Sequence, residues 1–95
     1  MNNEIEVGDV VKYKSRSEDK QFDIGFVLSV YEGGDIKIDV DGIIPTSDVV
    51  KVYKDKNGFG LTLKVLYNKC IDINMRPFNI FDLMEDYKDF LYRQK

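Results

Sequence analysis

The chain has 95 residues, 43% hydrophobic and 33% charged. That is one domain's worth of globular chain: too short for two cores, too apolar for disorder, and without the long apolar run a membrane span requires. The formal charge of −3 is unevenly held, with eight Lys/Arg against twelve Asp/Glu in residues 1–56 and six against five in residues 57–95. An acidic balance argues against a nucleic-acid binder, whose affinity comes largely from neutralising phosphates, while leaving room for a local basic strip.

Val7 to about Lys54 reads as short strands punctuated by turns. Val10, Val11 and Tyr13 form a β-rich run entered through Gly8-Asp9. Ile24, Phe26, Leu28 and Val30 then recur at a period of two, and Gly33-Gly34 supplies the positive φ angles of a tight turn. Ile36, Ile38 and Val40 alternate with Asp35, Lys37, Asp39 and Asp41, the pattern of a half-buried strand closed by a hairpin at Asp41-Gly42. Pro45 stops the apolar pair Ile43-Ile44, Thr46-Ser47-Asp48 suits a single helical turn, and Val49 to Tyr53 returns to strand. Five short antiparallel strands in so short a span predict a small closed or nearly closed barrel.

Three groups of residues give this order a family likeness: Val7-Gly8-Asp9-Val10-Val11, Gly25-Phe26-Val27, and Pro45 to Val50 with the Gly33-Gly34 and Asp41-Gly42 turns. On them, residues 7–54 resemble the SH3-like small β-barrels, a group that includes KOW and Tudor domains. The resemblance implies a five-stranded barrel with a 3₁₀ turn before its last strand. The chain lacks tryptophan and the acidic Ala-Leu-Tyr-Asp-Tyr-like opening of signalling SH3 domains, so proline-peptide binding is not implied.

Lys54 to Gly60 reads as a linker. Leu61 to Met75 fits a helix or a hairpin, with the helix marginally favoured, and Pro77 ends it. Asn79, an N-cap candidate, opens an amphipathic helix over residues 79–93, in which Ile80, Leu83, Met84, Tyr87, Phe90 and Leu91 form a stripe about 120° wide. The expected fold is therefore α+β and mainly β: one domain over residues 1–95, made of a barrel (5–54), residues 61–75 as helix or hairpin, and the amphipathic helix (79–93).

The chemical inventory narrows function by exclusion. With no histidine, a single cysteine (Cys70) and no phosphate-binding glycine loop, the chain lacks the usual general base, the Ser-His and Cys-His pairs and a zinc ligand set. A non-enzymatic protein without metal or cofactor is expected. The single cysteine and the absence of a secretory signal in Met1 to Glu4 point to the cytoplasm.

Four sets of residues are candidates for contact with a partner. Phe81 and Tyr92, with Lys88 between them, lie off the main helical stripe and mark a protein-binding flank. Lys12, Lys14, Arg16, Lys51 and Lys54 could form a basic strip for nucleic acid or another ligand. Asp35, Asp39 and Asp41 could form an acidic docking face that imitates nucleic acid, although the liganding pattern of a calcium loop is missing. Tyr13, Phe22, Tyr31 and Tyr53 are candidates for an aromatic cage. The leading expectation is a protein-binding adaptor or inhibitor, followed by a KOW-like nucleic-acid module. The Asn-, Lys-, Ile-, Asp- and Tyr-rich composition without His or Trp is common in AT-rich phage genes, so a phage-type accessory protein acting on a host protein is one expectation. Oligomeric state is left open by the sequence.

Overall fold

The computed structural model describes residues 4–74 and 78–93. The β-rich runs become five strands: β1 (Val10–Lys14), β2 (Phe22–Val30), β3 (Asp35–Ile38), β4 (Gly42–Pro45) and β5 (Val49–Tyr53). All the pairings are antiparallel, and the strand order is β4-β3-β2-β1-β5. The long strand β2 is shared: Phe22 to Phe26 pairs with β1, and Val27 to Val30 pairs with β3. The end strands β4 and β5 are joined by a 3₁₀ turn at Thr46–Asp48 and are not paired with each other, so the sheet is open where the sequence suggested a barrel.

Both faces of the sheet are covered at its middle. One face gathers Val11, Tyr13, Val27, Ile36, Ile38 and Ile44, with Ile5, Val49 and Val52 packed against them. Val49 and Val52 are three residues apart and would face opposite ways in a regular strand. A register shift opposite Lys12/Tyr13 restores them to one face. Gly25 belongs to this arrangement, because a Cβ there would press into the Ile38 side chain at 2.9 Å. The opposite face presents Val10, Phe26 and Leu28 to the helices, where they meet Leu63, Met84, Tyr87 and Leu91.

The β3–β4 connection differs from the expected two-residue turn. Ile38 pairs with Gly42, so Asp39, Val40 and Asp41 form a three-residue loop and Gly42 takes the positive φ of +78°. Val40 is consequently exposed at the loop tip and is no core position.

Of the segment 61–75, residues 61–72 are helix: α1 spans Phe59–Asp72 and begins inside the segment read as linker. It ends where Asn74 adopts a positive φ of +59° and Ile73 N–H donates to the Lys69 carbonyl, so a left-handed residue stops this helix. The terminating role given to Pro77 lies outside the described residues. The second helix, α2, spans Phe78–Arg93, which places Asn79 within its first turn and not at the cap.

Candidate functional site

Helix α1 is positioned by a carboxylate that precedes it. Asp55 accepts hydrogen bonds from the amides of Gly60 (2.9 Å) and Leu61 (2.8 Å), and from the Tyr87 hydroxyl (2.7 Å) on α2. Burial acts to raise the Asp55 pKa, but the tyrosine and the helix amides outweigh it and hold the carboxyl below its usual range. Burial and the Asp55 partner together push the Tyr87 hydroxyl far above its ordinary value. Buried Asp9 extends the junction by accepting from the amides of Glu6 and Asp55 and from Lys54 Nζ (2.7 Å). Lys54, assigned to the basic strip, is therefore a structural ion pair.

Helix α2 is turned relative to the expected packing. Met84, Tyr87, Lys88 and Leu91 are buried, whereas Leu83 and Phe90 are 42% and 57% exposed. At ~100° per residue, the buried face is displaced by about 50° from the centre of the apolar stripe, toward Lys88. The cause is visible at Lys88, whose ammonium lies 2.9 Å from Asp39 and 2.8 Å from Glu85. Burial alone would lower the Lys88 pKa; Asp39 and Glu85 reverse this and raise it. Lys88 is thus withdrawn from the partner-binding flank to which the sequence assigned it.

The acidic face is dispersed in the same way. Asp39 also accepts from the Phe26 amide (2.9 Å), and Asp41 accepts from the Tyr13 hydroxyl (2.7 Å). Of the three carboxylates, Asp35 alone belongs to an exposed residue. Tyr13 is fully buried and so cannot join a surface cage. Arg16 bends over the β3–β4 loop, donating to the Ile43 carbonyl at 2.7 Å, and leaves the strip.

Two surfaces remain. The first is a groove of about 580 Å³ between α1 and α2, lined by Phe59, Thr62, Leu83, Asp86, Tyr87 and Phe90. Beyond it, α1 exposes Leu61, Val65, Leu66 and Ile71, and only Gly60 and Leu63 of this helix are buried. The second surface lies on the sheet beside the end of α2. Lys12 stands directly opposite Lys51, and Lys14 opposite Phe22. Lys12 Nζ lies 4.8 Å from the Phe22 ring centre and 5.9 Å from that of Tyr92, while Lys51 Nζ lies 5.0 Å from that of Tyr53. Tyr53 and Tyr92 meet edge to face at 5.9 Å. Phe81 is remote from this group in its contacts, and its ring meets Tyr67 at 5.3 Å.

Sequence reasoning missed Phe59, Leu83 and Phe90 as surface residues. For Leu83 and Phe90 the available signal was their place at one edge of a stripe too wide for a single helix contact, whereas Phe59 lay in the segment read as linker. Among the described residues, no group of three or more Cys, Asp or Glu side chains is placed to hold a metal, and no helix is long and apolar enough to cross a membrane. Comparison with protein-family models, curated proteins and solved structures finds no match.

Proposed function

We propose that the chain is a non-enzymatic protein-binding module, an SH3-like sheet carrying a helical pair that docks on a partner protein. The observation that carries this reading is the exposed apolar surface of the helices. Phe59, Leu61, Val65, Leu66 and Ile71 of α1 and Leu83 and Phe90 of α2 are each 41–57% exposed. A helix apolar on most of its circumference belongs in a covered setting, and contiguous exposed apolar surface marks an interaction site. The shared strand β2 and the 3₁₀ turn before β5 support the SH3-like reading of the sheet.

The occupant of the groove is an amphipathic segment with apolar anchors and basic flanks. Phe59, Leu83 and Phe90 take the anchors, and Asp86 and Asp89, which border Phe90 and outnumber the neighbouring Arg93, attract the flanking cations. The test is capture of tagged protein from nuclease-treated host lysate, comparing the native chain with Phe59→Ser/Phe90→Ser. A protein held in stoichiometric amount by the native chain and lost by the variant is expected. Equal retention by both, or no stoichiometric protein at all, overturns the reading.

A further inference from the structure

The sheet surface formed by Lys12, Lys14, Lys51, Phe22, Tyr53 and Tyr92 has features that the protein-binding groove does not explain. Lys12 and Lys51 are direct cross-strand partners. Like charges in that position oppose sheet formation, and natural sheets usually place an opposite charge there. Among the described residues, neither lysine, nor Lys14, has a carboxylate within ion-pairing distance. The two ammonium groups instead lie over aromatic rings, Lys12 over Phe22 and Tyr92 and Lys51 over Tyr53.

The acidic net charge is not spread over this surface. Asp9 is paired with Lys54, Asp23 with Lys20 and Asp39 with Lys88, while Asp55 is held by helix amides and Tyr87. These four carboxylates are engaged by their own partners, while Asp35 of β3 stays exposed, and Lys12, Lys14 and Lys51 stand, among the described residues, without an ion pair on the neighbouring strands β1 and β5. Two of the rings are accessible, Phe22 and Tyr92 being 36% and 41% exposed, while Tyr53 is half-buried against the helix-facing core and supports Tyr92 edge to face.

Unpaired cations interleaved with exposed rings on an open sheet are complementary to a chain of alternating phosphates and unstacked bases. A duplex buries its base faces and offers only phosphates and groove edges, so the rings favour a single strand. We propose that this face binds single-stranded nucleic acid, with Lys12, Lys14 and Lys51 on phosphates and Phe22 and Tyr92 stacking bases. Three strands span about 10 Å across, two inter-strand spacings, so the contact covers a short stretch of strand. The groove of Phe59, Leu83 and Phe90 takes no part, and this site stands or falls independently of it.

The experiment is fluorescence anisotropy with fluorescein-labelled oligo-dT and a labelled duplex of equal length, at several salt concentrations. Binding to oligo-dT at low salt is expected, with a log–log salt slope of about −2 from three phosphate contacts. Tyr92→Ala should weaken binding about tenfold, in keeping with the loss of one stacked base. Lys12→Gln/Lys51→Gln should weaken it further, with folding checked by circular dichroism and thermal unfolding. Because that pair of substitutions removes a repulsion, unfolding is expected at the same temperature or higher. Phe59→Ser/Phe90→Ser should leave binding unchanged. No binding by the native protein at low salt, or binding indifferent to the lysine substitutions, overturns the proposal. Equal affinity for the duplex with no effect of Tyr92→Ala also overturns it, by showing a simple polyanion surface.

Discussion

Gly60, in the first turn of α1, lies against the backbone of Gly8, so closely that a Cβ on Gly60 would overlap the Gly8 carbonyl and stand 2.9 Å from the Tyr87 ring. The contact seats the helical half on the strand half. Neither side can yield cheaply, because one is backbone and the other a ring held by Asp55. Gly60→Ala should therefore destabilise the protein by about 3 kcal/mol, the upper range for overpacking. Gly33, with open space around it, is the control, and Gly33→Ala should change stability by less than about 0.5 kcal/mol. Urea unfolding midpoints measure both.

The ion pair of Lys88 with Asp39 is buried on both sides, which sets its energetics. Removing one partner strands a charge, so Lys88→Met should cost about 3 kcal/mol. Asp39→Asn keeps an acceptor for the Phe26 amide while removing the stranded charge. The double variant Lys88→Met/Asp39→Asn should accordingly recover much of the loss. A double variant no more stable than Lys88→Met alone would show that the pair does not govern the seating of α2.

Acid should loosen the junction between the sheet and α1. The Asp55 carboxyl is held below its ordinary value in the fold, so its contribution is fully present above the unfolded pKa of 3.8 and is lost as pH falls through the folded value. Asp23, lowered by Lys20 and Ser15, acts in the same direction. Stability should fall steeply below about pH 4. Asp55→Asn, which cannot ionise, should be less stable at neutral pH and show a shallower acid limb, Asp23 supplying the remainder. Chemical denaturation across the acid range tests this, and an unchanged limb would count against it.

The rotation of α2 predicts opposite results on its two apolar edges. Leu83→Ser with Phe90→Ser should leave stability within about 1 kcal/mol of native, since neither side chain is buried. The same pair should reduce the binding of a hydrophobic dye to the folded protein. Met84→Ala, at a fully buried position, should cost about 2–5 kcal/mol. Large destabilisation from the Leu83/Phe90 pair would place the buried face back at the centre of the stripe.

Strand alternation, paired turn glycines and helical spacing are local properties, and they were enough to locate five strands, the 3₁₀ turn and the last helix. The sequence left residues 61–75 ambiguous because Leu61, Leu63, Val65 and Tyr67 satisfy a period of two while Leu63, Leu66, Tyr67 and Cys70 satisfy 3.6. The choice between them was made by partners outside the segment: Asp55, just ahead of it, holding the first amides of α1, and Gly8, far upstream, admitting the backbone of Gly60.

Site residues depended still more on tertiary placement. Lys88 and Lys54 read as surface cations, Asp39 and Asp41 as surface acids, yet each meets a partner at least 28 residues away: Lys88 with Asp39, Lys54 with Asp9, Asp41 with Tyr13. Sequence alone determined which side chains carry charge or rings and the spacing at which they recur. The tertiary structure decided which charges cancel, leaving Lys12, Lys14 and Lys51 beside the rings and Leu83 and Phe90 facing solvent. An ion pair forms between residues that are near in space, and that nearness is set only when the sheet and helices pack.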